Sequence, residues 1–335
     1  AMAALPEPGL GTTMGQDRSH QTNGVLHPVT VSIPCNLCGS SDAALLFPNT
    51  LDGDSGSGSA ERYRCTSSGY GRHHAIVRCR RCGLVYACPR EGDDAVQRTY
   101  EAVVDELYLE ERRGRVLTFR RNFRPLLKLM AGKPHPRLLD VGCYVGIFLE
   151  IVAQHGWEAC GVEPSLWAAE EARRRGLQVH TGTLRSVDLP AASFDVVTLW
   201  DVIEHFTDPR DELCRINRLL RRGGLVCIHT IDIGSLLPRL LGPHWPWLME
   251  MHLYYFSRRT MAEMLRATGF EVIRQFTQGR YVLLDYLLAQ LSAVSPSLSG
   301  ALRGAARHLG IGGLAIPVNL GDLFTTIARK VGDVG

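Results

Sequence analysis

The stretch Leu138-Leu-Asp-Val-Gly-Cys-Tyr-Val-Gly-Ile-Phe-Leu-Glu150 constrains the fold more than any other. An apolar run ending in an acid passes through a glycine turn directly into a helical pattern. Glycines at such a turn let backbone N–H groups approach a ligand with no Cβ in the way. A second apolar run then closes on Glu163, a position where a carboxylate can accept hydrogen bonds from both hydroxyls of a ribose. A glycine turn alone is weak evidence, but strand, turn, helix, strand and acid in this order is considerably stronger.

Beyond Pro136 strands and helices alternate, which predicts a parallel sheet with crossover helices. Strands are expected at Arg137–Val141, Glu158–Glu163, Leu177–Thr181, Phe194–Leu199 and Leu225–Thr230. Helices are expected at about Ile147–Gln154, Leu166–Arg175 and Arg210–Leu220. An aromatic-rich stretch follows, then a helix near Thr260–Ala267, a strand at Phe270–Phe276 and a last strand at Asp322–Lys330. The chain divides into a disordered tail (1–30), a cysteine-bearing module (31–91) broken by a flexible loop at 51–60, a helical linker (92–135) and an α/β domain (136–335). That domain carries an apolar helical insertion, two short helices within 281–320.

At the glycine turn the chain resembles the class I S-adenosylmethionine-dependent methyltransferases, which place Asp-x-Gly-x-Gly-x-Gly there. The resemblance covers roughly Arg137 to Lys330 and departs at Tyr144, which stands where the middle glycine usually sits. It implies that Asp140, Gly142 and Gly146 line the methionine part of the cofactor, that Glu163 holds its ribose, and that Tyr144 belongs to the cofactor-binding set. Thr183 and Leu184 would border the adenine, although the family more often has an acid at Thr183; Trp200 and Asp201, at the end of the fourth strand, join the cofactor-binding set. The terminal Asp-Leu-Phe-Thr-Thr-Ile-Ala-Arg-Lys fits the family's antiparallel last strand. The fold implied is a Rossmann-like, seven-stranded, mostly parallel α/β sheet, and the activity is methyl transfer.

Cys35-Asn-Leu-Cys38-Gly39 and Cys79-Arg-Arg-Cys82-Gly83 are two C-x-x-C-G knuckles. Each places two thiolates on one turn, and two such turns make a tetrahedral four-thiolate zinc site with no open position, structural rather than catalytic. Cys65, Cys88, His73 and His74 lie near enough to substitute as ligands, whereas Cys143, Cys160, Cys214 and Cys227 read as packing residues. A zinc-ribbon-like module ahead of a methyltransferase domain resembles bacterial natural-product and polysaccharide-pathway enzymes, among them sugar C-methyltransferases.

Methyl transfer requires an aligned nucleophile and often a base, and histidine suits the base. His205, after Glu204 in Trp200-Asp201-Val-Ile-Glu204-His205, follows the fourth strand, at the edge where open α/β sheets bind ligands. His252 lies in the aromatic stretch. It resembles the base of the sugar C-methyltransferases, with Met251 where they carry Glu. The Glu204-His205 run also resembles one in ubiquinone-pathway O-methyltransferases that can bind a divalent cation; the resemblance implies Asp201, Glu204 and His205 of this chain as ligands of a magnesium ion. The plainer alternative for both histidines is helix capping or core packing. Trp245, Trp247, Tyr254, Tyr255 and Phe256 are candidates for an apolar substrate wall.

Arg112, Arg113, Arg115, Arg120, Arg121, Arg124 and Lys128 form a basic run, read either as a solvated helix face or as a clamp for a phosphate-bearing substrate. The net charge is only +3, which argues against the whole molecule as a nucleic-acid binder. The acceptor expected is therefore the carbon or oxygen of a small molecule: a nucleotide sugar, lipid or polyketide-type intermediate. The rivals are an RNA or DNA methyltransferase and a non-catalytic cofactor-binding scaffold. No apolar run is long enough for a transmembrane helix, and the N-terminal stretch lacks the pattern of a signal peptide. A cytoplasmic protein is expected, with a homodimer or a membrane-surface contact of the insertion as open alternatives.

Overall fold

The computed structural model describes residues 30–51, 59–67, 69–291 and 295–334. The expected tail over 1–29 and most of the expected loop at 51–60 lie outside the described residues.

The N-terminal module contributes β1 (Ala43–Phe47), β2 (Ile76–Cys79) and β3 (Val85–Ala87) to one sheet, beside a short ribbon of Thr30–Val31 with Arg90–Glu91. Helices α1 (Asp93–Glu101) and α2 (Arg112–Leu129) follow. The α/β domain runs β4 (Arg137–Val141), α3 (Ile147–Gln154), β5 (Glu158–Glu163), α4 (Leu166–Arg174), β6 (Gln178–Thr181) and β7 (Phe194–Trp200). It continues through α5 (Pro209–Leu219), β8 (Leu220–Ile231), β9 (Tyr254–Tyr255), α6 (Arg258–Ala267) and β10 (Phe270–Thr277). The chain closes with β11 (Arg280–Leu283), α7 (Leu284–Gln290), α8 (Pro296–His308), β12 (Ala315–Val318) and β13 (Leu323–Lys330).

The main sheet has seven strands in the order β10-β13-β8-β7-β4-β5-β6. β13 runs antiparallel to both β8 and β10, and the pairs β8–β7, β7–β4, β4–β5 and β5–β6 are parallel. This is the mixed Rossmann-like sheet expected from the sequence. Strand β7 is buried along its whole length, as a strand covered by helices on both faces must be. From β4 the chain winds outward to β6 and then returns to β7 on the other side of β4. The carboxyl ends of β4 and β7 therefore flank a topological switch point, where open sheets place ligands.

Three expectations need correction. The cysteine module is not a separate body: its sheet is completed by β9 of the α/β domain, with Tyr254 opposite Tyr86 and Tyr255 opposite Val85. Cys35, Leu84 and Tyr86 share one core with Leu199, Val226 and Phe256. The insertion is not purely helical, because its first residues form β11, which pairs with β12. The Gly114 position brings β11 close to α2; a Cβ there would lie 3.0 Å from the Tyr281 carbonyl. Finally, β8 begins at Leu220 rather than Leu225, through an irregularity in its pairing with β7.

No helix among the described residues is long and apolar enough to cross a membrane.

Candidate active site

Asp140, next to last in β4, is buried, its Oδ1 accepting a hydrogen bond from Thr198 Oγ1 at 2.6 Å. Burial pushes its carboxyl up to about 8, although the Thr198 bond opposes the rise. The turn that follows places Gly142, Tyr144 and Gly146 at φ of 67°, 49° and 79°. A Cβ on Gly142 would meet Val202 Cγ2 at 2.7 Å, and one on Gly146 would meet Leu177 Cδ1 at 2.3 Å. Only glycine fits those two places.

Tyr144 takes the left-handed conformation at a steric cost of about 1 kcal/mol, held by its ring. That ring meets Tyr108 edge-on at 4.4 Å and Trp167 at 6.1 Å. Its N–H donates to Glu163 Oε2 at 2.9 Å, while Ser165 N–H donates to Oε1 at 2.8 Å. Burial raises the Glu163 carboxyl to about 7 despite these two donors. Glu163 thus braces the turn and the start of α4 together.

At the end of β7, Asp201 adopts a φ of 55° and a short 3-10 turn over Ile203–His205 follows. His205 Nδ1 lies 2.8 Å from the Met251 carbonyl, and His252 Nδ1 lies 2.7 Å from the Trp247 carbonyl. A carbonyl only accepts, so each Nδ1 carries the hydrogen and each Nε2 is left with its lone pair. The rings are 4.9 Å apart. The Glu204 carboxylate joins them, the three ligand atoms lying within 4.8 Å of one another. Burial and the neighbouring His205 hold His252 down at about 3, and burial lowers His205 as well. Burial raises Glu204 to about 8. Glu204 Oε2 has no hydrogen-bond partner among the described residues.

One cavity of about 320 Å³ joins both halves. Asp140, Gly142, Tyr144, Glu163, Thr183 and Leu184 line one side. Trp200, Asp201, Glu204, His205 and His252 line the other. Gly146 does not line it and serves to pack the helix start against Leu177. Of the five aromatic candidates for a substrate wall only Trp247 lines the cavity; Trp245 is core and donates its indole N–H to Asp322, and Tyr254, Tyr255 and Phe256 are buried elsewhere. Asp201 is absent from the Glu204–His205–His252 group and lies instead 3.8 Å from His229 Nε2.

Sequence reasoning missed the cavity's other wall, built by the cysteine module and the helical linker together. Tyr63, Cys65, Tyr100, Tyr108 and Phe119 come from segments before β4. No local pattern marks any of them as lining residues. The basic run does not converge on a clamp: Arg112 pairs with Glu150, Arg113 and Arg121 bond the carbonyls of Gly313 and Gly279, and Arg115 alone lines the cavity.

The four knuckle cysteines come together, all four Sγ atoms lying within 4.8 Å of one another. Cys35 Sγ is 3.4 Å from Cys82 Sγ and Cys38 Sγ is 3.6 Å from Cys79 Sγ. A tetrahedron with Zn–S bonds of about 2.3 Å has edges of about 3.8 Å, so these spacings fit the ion. Gly39 and Gly83 turn at φ of 72° and 78° just after each pair. Cys65, Cys88, His73 and His74 are not in the group.

A family model described as a methyltransferase domain matches residues 108–275. The chain belongs to the methyltransferase family. Like the fold, this places it among the class I S-adenosylmethionine-dependent enzymes. A ubiquinone biosynthesis O-methyltransferase of Paracidovorax citrulli is 33% identical over 179 residues, covering 46% of this chain and 75% of that protein. The mitochondrial one of Schizosaccharomyces pombe is 33% identical over 114 residues, 31% of this chain, and the match spans only 41% of that protein. A solved methyltransferase structure from Thermotoga maritima is 22% identical, with a TM-score of 0.45 over 66% of this chain and 91% of that one.

Asp140 makes one property of this methyltransferase testable by pH. A carboxyl whose pKa is raised by folding binds its proton more tightly in the folded state, so its contribution is lost as pH rises from about 4 towards 8. Asp140→Asn should therefore gain thermal stability relative to the unaltered protein between pH 5.5 and 8, by up to about 1.4 kcal/mol per unit. A difference that is flat across that range contradicts the assignment.

Proposed function

We propose that this chain transfers a methyl group from S-adenosylmethionine to an oxygen of a small molecule, with His252 and His205 removing the acceptor's proton. The observation that carries this reading is that the cofactor-type turn and the Glu204–His205–His252 group line one cavity. The relatives named as O-methyltransferases support oxygen over carbon as the acceptor atom.

When bound, the cofactor supplies an electrophilic methyl group on a sulfonium. The protein's part is to hold the acceptor oxygen in line with it and to take the proton released as the new bond forms. His252 Nε2, unprotonated at neutral pH, is the acceptor of that proton. Its low basicity suits an acceptor hydroxyl that loses its proton late, as the O–CH3 bond forms. His205 lies beside it, and Glu204, whose carboxyl is kept protonated at neutral pH by burial, is close to both.

His252→Ala should lower kcat by about 10²-fold or more while leaving affinity for S-adenosylhomocysteine within about twofold. Equal turnover on the true acceptor removes His252 from the mechanism. Carbon NMR of the product separates a methoxy from a C-methyl group, and a C-methyl signal overturns the oxygen assignment.

A second reading has its own observation: two imidazole nitrogens and a carboxylate within 4.8 Å can also hold a divalent cation. The set is nitrogen-rich and leaves Asp201 out, so it fits magnesium poorly and a zinc- or manganese-type ion better. Turnover lost in chelator and restored by manganese favours this reading; turnover unaffected by chelator favours the base.

We further propose that Cys35, Cys38, Cys79 and Cys82 hold a structural zinc ion, and that the chain works in the cytoplasm on a freely diffusing acceptor.

A further inference from the structure

The methyltransferase reading leaves one feature of the cavity unused. Arg280, the first residue of β11, lines the cavity with its guanidinium carbon 4.5 Å from the Trp247 ring centre. Arg115 of α2 lines it too, 3.6 Å over the Tyr108 ring. Neighbouring arginines are committed: Arg112 to Glu150, Arg121 to the Gly279 carbonyl, Arg185 to Glu212. Among the described residues the side chains of Arg280 and Arg115 form no ion pair and no hydrogen bond, and Arg115 Nε is buried without a partner.

No carboxylate of the cavity wall forms an ion pair with either arginine, and only Glu111, outside that wall, lends Arg115 partial counter-charge. Asp93 pairs with Arg90 at 3.1 Å, Glu212 with Arg185 at 2.9 Å, and Glu163 with two backbone N–H groups. Asp201 lies against His229 rather than either arginine. A half-buried cation without a counter-charge is costly unless a ligand supplies one.

The two arginines occupy different ends. Arg115 sits on Tyr108, whose ring edge meets Tyr144 of the cofactor turn. Arg280 sits on Trp247, whose carbonyl fixes His252 Nδ1 and whose ring centre is 6.3 Å from that of His252. An anion on Arg280 therefore belongs to whatever molecule presents its oxygen to the histidines.

We propose that the methyl acceptor carries an anionic group, a carboxylate or phosphate, and that Arg280 binds it and so determines substrate choice. Arg115 adds positive potential from the cofactor side. The inference rests on the methyltransferase reading for its meaning, but its test does not need turnover.

Calorimetric titration of inorganic pyrophosphate into the full chain saturated with S-adenosylhomocysteine reads the site directly. Saturable binding is expected, weakened about tenfold or more in Arg280→Ala and partly kept in Arg280→Lys, with S-adenosylhomocysteine affinity within about twofold throughout. No saturable pyrophosphate binding, or equal binding in Arg280→Ala, overturns the proposal. So does a loss of S-adenosylhomocysteine affinity in that variant, which would hand Arg280 to the cofactor's own carboxylate. Thermal unfolding confirms that each variant is folded. If the unaltered protein binds no S-adenosylhomocysteine, the methyltransferase reading fails by itself, while pyrophosphate titration of the ligand-free chain still reports on Arg280.

Discussion

Cys79→Ser is expected to release the zinc ion proposed for the N-terminal module and to abolish methyl transfer, although the knuckle cysteines do not line the cavity. The route runs through the backbone. Cys79 ends β2, and β2 pairs with β3, which pairs with β9. The Ala87 N–H donates to the Leu253 carbonyl at 2.9 Å, directly after His252, and the Leu253 N–H donates to the Glu204 carbonyl at 2.8 Å. Module, His252 and Glu204 are thus successive members of one hydrogen-bonded path. Two side-chain contacts reinforce it: Arg259 donates to the Cys82 carbonyl at 2.7 Å, and Asn36 donates to Asp208 at 2.8 Å.

Structural zinc contributes folding free energy of about 10 kcal/mol or more in small modules, comparable with the whole stability of a domain. Its loss should unfold β1–β3, remove the strand that pairs with β9 and free the two histidines from their geometry. Metal content, thermal unfolding and turnover measured on the same preparation check this. A Cys79→Ser protein that is metal-free, folded and fully active breaks the link between module and site.

The parts legible in the sequence were those fixed by local chemistry. Strands β4 and β5 fall at the residues their apolar patterns mark, because buried parallel strands read as apolar runs bounded by turns. The glycine turn was legible because two of its positions exclude a side chain, and the knuckles because two cysteines on one turn leave few other uses. What stayed hidden was whatever depends on distant segments meeting. Nothing local in Tyr254-Tyr255 announces that it completes the sheet of a module more than 150 residues earlier. His252 was visible as a histidine among aromatics, but its meeting with Glu204 rests on the Leu253–Glu204 backbone bond. Nothing local separates Arg115 from the six other basic residues of its run; only the fold places it, alone among them, in the cavity wall.

Glu163→Ala carries the second large effect. The carboxylate stands at the end of β5 facing the cavity, where the resemblance places a cofactor's ribose, and it also accepts the N–H groups of Tyr144 and Ser165. Alanine removes both the ribose acceptor and the brace on a turn already held in a left-handed conformation at Tyr144. Hydrogen bonds to a charged group are worth about 1.5–3 kcal/mol each, so losing two predicts a fall in cofactor affinity of about 10²-fold or more. Because the carboxyl titrates at about 7, the measurement belongs at pH 8, where it is charged.

Calorimetric titration of the zinc-replete protein and of Glu163→Ala with S-adenosylmethionine and S-adenosylhomocysteine is therefore the most direct test. Saturable one-to-one binding that weakens by about two orders of magnitude in the variant is the expected result. Binding unchanged by the substitution, or no binding of either compound to folded protein, would contradict the cofactor site on which the whole account stands.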